Sequence, residues 1–223
     1  MTDNAAAPVA HRRTMVGDEV YERTKALLMN HAIEPGDRIS IDGLARDFNV
    51  SQTPVRESLA RLESEGLAAK TPLRGYRAAP LLDEAQLDEL FQFRLLIEPW
   101  AAGQAAARID DAGRELLEAE FASIEAPHES NYEAYRPLAA HDLRLHRLIA
   151  ELSGNAQVRA ALERTNFHLH IYRLRWNYTF GPGTLAEHRR IADLIMVGDV
   201  QGAEKAMITH LESGMHGRLG GTF

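Results

Sequence analysis

The sequence predicts a mainly α fold, a winged helix-turn-helix followed by an all-helical bundle, and three observations predict it. Apolar residues recur with helical spacing along most of the 223 residues. Two short helical patterns meet at Asn49-Val50 and lead into a small hairpin pattern around Pro72-Leu73-Arg74-Gly75. No convincing strand-period segment follows residue 80.

The elements are read in order. Residues 1–15 are polar and Ala-rich and read as a mobile tail. From Asp18, Val20, Thr24, Leu27, Leu28 and His31 share one helical face, and Glu34-Pro35-Gly36-Asp37 supplies turn chemistry that stops the helix. Ile39 and Ile41 alternate with polar residues as a brief extended piece. Asp42 is then placed to cap a short helix with Leu44, Ala45 and Phe48 on its apolar side. Ser51 is the expected cap of the next helix. Pro54 falls in its first turn, where a missing N–H is harmless, and Gly66 ends it. Leu67 to Pro80 suits a β-hairpin.

The rest is helical. Leu87, Leu90, Arg94, Ile97 and Ala101 define one face of a long helix, and further helices are expected over 111–124 and 137–152. Pro127 to Asn131 reads as a loop, and Gln157 to Trp176 as one long segment broken by Gly181-Pro182-Gly183. Helices over 184–197 and 200–216 complete the chain.

Composition narrows the function. With 45% hydrophobic and 26% charged residues, the chain can build an ordinary core. The absence of Cys excludes disulfide scaffolds, thiolate zinc sites, iron–sulfur clusters and Cys nucleophiles. No apolar run is long enough to span a bilayer and no secretory block opens the chain, so a cytoplasmic protein is expected, with no membrane partner. The net charge of −7 is uneven: residues 1–80 hold 11 basic and 11 acidic side chains, so the excess of acid lies entirely beyond them. Such asymmetry hints at an anionic partner for the first part.

In the second helix of the motif, Val55, Leu59 and Leu62 must face a core, which leaves Gln52, Thr53, Arg56 and Ala60 outward. The N-terminal end of that helix enters the major groove in this motif. Arg pairs bidentately with guanine and Gln with adenine, while Ser51 and Thr53 donate to phosphate. Arg74 and Arg77 on the hairpin could reach phosphates or the minor groove. A plain three-helix packing module with solvated arginines is the alternative.

In the acidic part, Asp142 and His146 are four apart on one helix, while His188 and His210 lie on two others. One carboxylate and three imidazoles suit Zn²⁺, Ni²⁺, Co²⁺ or Mn²⁺, although spacing alone does not assemble residues from three segments. His141 points about 100° away from Asp142 and is not counted with them. His168 and His170 do not share a helical face, and either could line a pocket. Met196 and Met207 read as core. Arg94 on an apolar face wants a carboxylate, either Glu98 one turn on or a bound effector.

The run from Leu44 to Leu67, with its Thr53-Pro54-Val55-Arg56-Glu57 core and Arg61-Leu62-Glu63-Ser64-Glu65-Gly66-Leu67 ending, resembles the DNA-binding domain of bacterial GntR-type regulators. It departs from that pattern at Gln52, often Arg, and at Asp42-Gly43. The acidic part is similar to the FCD effector domain of the FadR subfamily, through Phe93 to Ala102, Asp142-Leu143-Arg144-Leu145-His146, Glu187-His188, Gly198-Asp199 and His210-Leu211. The resemblance implies domains at 16–80 (DNA-binding) and 81–217 (effector-binding and dimerisation), with tails at 1–15 and 218–223. It also implies a transcription regulator rather than an enzyme, homodimeric on a palindromic operator. Asp142, His146, His188 and His210 would hold a divalent metal, Zn foremost. Arg94, with Asn166, His170 and Arg173, would meet a small carboxylate effector. A metal-assisted hydrolase with an appended helix-turn-helix is the competing reading.

Overall fold

The structure is a computed structural model that describes residues 7–122, 124, 132–174 and 181–219. The chain divides after Leu81 into two compact units.

The first unit opens with α1 (Ala7–Met29). The segment 7–15, expected as tail, is helical: it holds no internal glycine, and Pro8 falls in the first turn, where proline is tolerated. β1 (Arg38–Ile39) leads into α2 (Ile41–Asp47). Ser40, not Asp42, caps α2: its Oγ accepts from the Gly43 N–H at 3.0 Å, and Ile41 is already helical. Asp42 sits instead in the first turn, where its charge suits the helix dipole. Asn49 turns the corner with φ 55°, a left-handed conformation that Asn tolerates. α3 (Gln52–Ser64) follows; Ser51 occupies its N-cap position but makes no side-chain cap bond. β2 (Ala68–Thr71) and β3 (Gly75–Ala78) form the hairpin, and β1 joins its free edge, giving an antiparallel sheet of order β1-β3-β2. Ile39 pairs with Tyr76 and Ala68 with Ala78. Tyr76 and Ala78 are buried while Gly75 and Arg77 face out, the alternation of a sheet covered on one side. Leu28, Val55, Leu59, Leu62 and Leu67 fill the core beneath.

The second unit begins at α4 (Glu84–Arg108), capped by Asp83 and Gln86 in a reciprocal capping box. Its buried stripe runs through Leu87, Phe91, Arg94, Glu98, Ala101, Ala102 and Ala105. Leu90 and Ile97, expected on that face, are only half-buried; Phe91 and Glu98 take their places. α5 (Asp111–Phe121) is shorter than expected, and α6 (Tyr132–Leu152) accommodates Pro137 in its first two turns. The loop expected at 127–131 and the end of the long segment at Trp176 lie outside the described residues. That long segment is two helices, α7 (Ala156–Arg164) and α8 (Phe167–Leu174), because Asn166 adopts φ 45° and breaks the ladder. α9 (Gly181–Met196) starts on the Gly-Pro-Gly run rather than after it. α10 (Val200–Leu219) continues past the expected end at His216. Ala102, Ala105 and Ala106 of α4, Leu145 and Ile149 of α6, Ile191 and Ile195 of α9, and Ala203, Met207 and Leu211 of α10 form the core, with Met196 packed at its margin. Small residues on α4 let α10 lie close against it, so α4, α6, α9 and α10 converge. Among the described residues no helix is long and apolar enough to cross a membrane.

Candidate functional site

Two sets of side chains stand out, one on each unit. On the first, burial of Val55, Ser58, Leu59 and Leu62 turns the opposite face of α3 to solvent. Ser51, Gln52, Thr53, Arg56 and Ala60 are all exposed, as are Arg74 and Arg77 on the hairpin. Gln52 Nε2 donates to Asp42 Oδ1 at 2.5 Å, and Arg56 Nη2 donates to Gln52 Oε1 at 3.2 Å. Asp42, Gln52 and Arg56 therefore form a surface chain of hydrogen bonds. Such exposed bonds contribute little and are readily exchanged for others. Arg77 is partly committed, because its Nη1 donates to the Gly36 carbonyl at 2.9 Å. Leu73, fully exposed with φ 61°, marks the hairpin tip beside Arg74.

In the second unit, Asp142 and His146 of α6, His188 of α9 and His210 of α10 meet, all buried, with one ligand atom from each within 4.8 Å of all the others. His188 Nε2 lies 3.3 Å from His210 Nε2 and 3.4 Å from Asp142 Oδ1, and His146 Nε2 lies 3.7 Å from the same oxygen. Three Nε2 atoms and one carboxylate oxygen thus face a common point. His146 Nε2 is buried there with no hydrogen-bond partner. A buried polar atom without a partner is costly, and a cation at that point would satisfy it.

Electrostatics favour the same set. Burial pushes His188 down to about 4 and His210 well below its ordinary value, so both imidazoles are neutral at pH 7, as ligation requires. Burial opposes the charge on Asp142, but the hydrogen bond with His188 and the neighbouring His146, His188 and Arg94 side chains outweigh it and hold the carboxyl low. The four residues fit a divalent ion in donor type, charge and placement.

An outer layer surrounds them. Glu98 of α4 meets His146 Nδ1, and Glu187 Oε2 lies 2.8 Å from His210 Nδ1. Carboxylates in these positions orient metal-binding imidazoles. The spacing offers Glu98 only as a partner for Arg94 one turn away, and nothing in it connects Glu98 to a residue 48 positions on. Arg94 is buried, donates from Nε to Glu98 Oε1 at 2.5 Å, and lies with its guanidinium 3.8 Å from the centre of the Phe167 ring. Of its two expected roles, the pairing with Glu98 is thus present. Burial raises the Glu98 pKa, but the neighbouring charges of Arg94 and His146 outweigh it and bring it to about 2. His141 is not among the four but is also buried beside them: its ring lies 5.1 Å from that of His188 and edge-on to Phe121. The 100° offset from Asp142 turns it toward α5, which covers that flank of α6. Asn166 and His170 are half-buried, whereas His168 and Arg173 are buried; α8, which carries all but Asn166 of these, packs on α6.

Comparison with known proteins assigns both units. Residues 89–213 match the FCD domain, and residues 16–77 match the bacterial regulatory proteins of the gntR family. The HTH-type transcriptional regulator YdhC of Bacillus subtilis is 26% identical over 195 residues, covering 86% of each chain. The regulator LutR of the same organism is 28% identical over 210 residues, covering 83% of this chain and 93% of its own. A GntR transcriptional regulator from Rhodococcus sp. RHA1 shares the fold with a TM-score of 0.65 at 19% identity, over 93% of this chain and 99% of that one.

Proposed function

The chain belongs to the FCD-domain family and carries a gntR-type reader ahead of that domain; from this premise we propose how a metal-dependent sensor in the second unit controls operator binding by the first. The protein is a DNA-binding transcription regulator with a ligand-binding effector domain. The metalloenzyme alternative gains no support, since the gntR family match and the curated relatives are transcriptional regulators.

The finer reading is ours. A cytoplasmic homodimer presents two α3 helices to a palindromic operator, as a two-fold protein suits a two-fold site. Gln52 and Arg56 exchange their mutual hydrogen bond for base edges, and Ser51 and Thr53 bond phosphate at the helix start. Arg74 and Arg77 contact the backbone beside the groove.

The observation that carries the sensor is the buried meeting of Asp142 Oδ1 with Nε2 of His146, His188 and His210. These four would hold the ion, Zn²⁺ foremost, with Ni²⁺, Co²⁺ or Mn²⁺ as alternatives. Bound there, it would supply a positive charge that only one protein carboxylate among the four ligands offsets, and so an attraction for an anionic oxygen. A small carboxylate is the effector class that suits it in an otherwise acidic unit. Arg94 keeps N–H groups beyond the one it gives Glu98, and with Asn166, His170 and Arg173 it supplies polar contacts to the acid. The acid alters DNA affinity only through different affinities for two arrangements of the dimer.

Native mass spectrometry with metal analysis tests this together with operator titrations. We expect a dimer carrying one divalent ion per subunit. Operator affinity should shift with at least one member of a hydroxy-acid and dicarboxylate panel and lose that response after chelation. A metal-free protein whose response to acids survives chelation would refute the sensor, and failure to bind any palindromic site would refute the reader.

A further inference from the structure

The three imidazoles of the buried centre differ on their outer sides. His146 Nδ1 meets Glu98 and His210 Nδ1 meets Glu187, but His188 Nδ1 is buried with no hydrogen-bond partner. An imidazole that ligates through Nε2 carries its proton on Nδ1, and that N–H needs an acceptor. The ring beside it belongs to His141, completely buried, with its centroid 5.1 Å from that of His188 and the planes inclined by 45°.

His141 has the complementary deficiency. Its Nδ1 lies 2.9 Å from Glu120 Oε1, a carboxylate that Arg144 also holds, at 2.7 Å from Nη2. A neutral imidazole that gives its Nδ1–H to a carboxylate keeps a lone pair on Nε2. His141 Nε2 is buried and has no hydrogen-bond partner either. One orphan atom therefore needs an acceptor, and its neighbour is an orphan acceptor. The two nitrogens make no hydrogen bond in the present ring orientation, but ring centres 5.1 Å apart are close enough for a turn of either ring to bring them within N–H···N reach. Phe121, edge-on to His141 at 5.1 Å between ring centres, presents an apolar ring to it that offers no acceptor in competition.

We propose that His141 is the outer partner of His188, a positioning residue of the metal centre. The chain Arg144–Glu120–His141–His188 would fix the ring and proton of His188 as Glu98 and Glu187 fix those of His146 and His210. This rests on the metal-binding reading above and extends it to a residue outside the four ligands.

The test uses Co²⁺ as the probe on the full chain, with affinity read by chelator competition and ligand geometry by the visible absorption of the ion. His141→Gln keeps an acceptor near the position of Nε2; His141→Asn keeps a polar group only near Nδ1, toward Glu120; His141→Phe keeps the ring shape alone. Asn and Phe should lose about 10–100-fold in Co²⁺ affinity, the range for outer partners of ligating histidines, while Gln stays within about threefold of wild type. Equal affinity in all three variants overturns the proposal. So does retention by Asn with loss by Gln, which would make His141 only an anchor for Glu120. Nitrogen-15 histidine spectra of the unmodified protein decide the matter even where a variant fails to fold. His141 should carry its proton on Nδ1 and His188 likewise, and a proton on His141 Nε2 overturns the assignment. If the unmodified protein takes up no Co²⁺, the metal reading itself fails; if it binds Co²⁺ and the variants do not discriminate, only the role of His141 fails.

Discussion

Arg56 stands on the open face of α3 and bonds only another surface side chain, whereas Arg94 lies 2% exposed inside the second unit, locked to Glu98 and stacked on Phe167. The same guanidinium is open to a partner in one unit and a structural member in the other. The contrast extends to each site as a whole. The reader keeps Ser51, Gln52, Thr53 and Arg56 in water, where their hydrogen bonds are cheaply exchanged for those of a base or phosphate. The second unit buries Asp142, His146, His188 and His210, where an unsatisfied group is costly, which suits the proposed ion. On the proposed reading, a surface that reads a large partner is laid out by one helix, whereas a centre that selects a small ligand needs several.

The largest expected difference follows from the two arginines. Arg94→Ala strands the Glu98 carboxylate in the interior and should cost the second unit about 3–5 kcal/mol of stability. Both tryptophans, Trp100 and Trp176, lie beyond residue 81, so urea unfolding followed by tryptophan fluorescence reports that unit alone. The double variant Arg94→Met with Glu98→Leu should recover part of the loss, since it strands no charge although it leaves His146 Nδ1 without its carboxylate. A midpoint unchanged in Arg94→Ala would show that the guanidinium is not structural and restore the effector clamp as its main role.

Acid should separate the units next. His188 titrates at about 4 in the folded protein against about 6.5 when unfolded, so below 6.5 the unfolded chain binds the extra proton. Its contribution is therefore complete above pH 6.5 and lost as pH falls toward 4, by about 3 kcal/mol in the metal-free protein. Glu98, held at about 2, adds a loss of the same sign at lower pH. In the first unit burial perturbs Tyr21 upward and Lys25 downward, groups whose ordinary values lie near 10. Thermal melts between pH 7 and 4 should lower the tryptophan transition while the first unit, followed by NMR signals of Tyr21 and Tyr76, holds. Parallel loss in both would mean that general charge repulsion, not the buried imidazoles, sets the acid limit.

The same contrast explains what the sequence made legible. The outward set on α3 follows from helical period once Val55, Leu59 and Leu62 are given to the core, because everything involved lies within four turns. The ligand types in the second unit were readable, yet their meeting depends on the packing of α6, α9 and α10, which spacing does not encode. Glu98 is visible in the spacing as a partner for Arg94 at i+4 but not for His146, and His141, 100° round α6 from Asp142, stands outside the four converging residues, its burial beside them set by the packing of α5. Local errors have local causes. Leu87, Arg94 and Ala101 of the α4 stripe are buried as expected, but Ile97 gives way to Glu98, a charge whose burial depends on its partners Arg94 and His146. The break at Asn166 was missed because a lone Asn in left-handed geometry is a weak signal beside Gly or Pro.

A smaller effect sharpens the reader's side. Arg56→Ala should weaken specific operator binding by about 1–3 kcal/mol and relax preference at one position, while stability stays within about 0.5 kcal/mol because the side chain is exposed. Fluorescence-anisotropy titrations with single-base operator variants would read both affinity and preference. Uniform weakening across all sequences would reassign Arg56 to phosphate.

The smallest difference lies within the hairpin. Arg74 and Arg77 carry the same charge on the same exposed wing, but Arg77 donates to the Gly36 carbonyl and so ties the turn before β1 to β3, while Arg74 sits at the tip beside Leu73. If both contact phosphate, each removal lowers the slope of log affinity against log salt by about 0.9. Arg77, with one donor held by Gly36, should pay part of its effect in stability instead. We expect Arg74→Ala to reduce the slope by close to one and leave the first unit's unfolding unchanged. Arg77→Ala should reduce it by less and lower stability by about 0.5–1.5 kcal/mol, the range for one hydrogen bond. Operator titrations from about 50 to 200 mM salt, paired with melts of each variant, measure both axes. Equal slopes and equal stabilities would mean that the Gly36 bond is exchanged freely on the surface, and that the wing, like α3, is purely a probe.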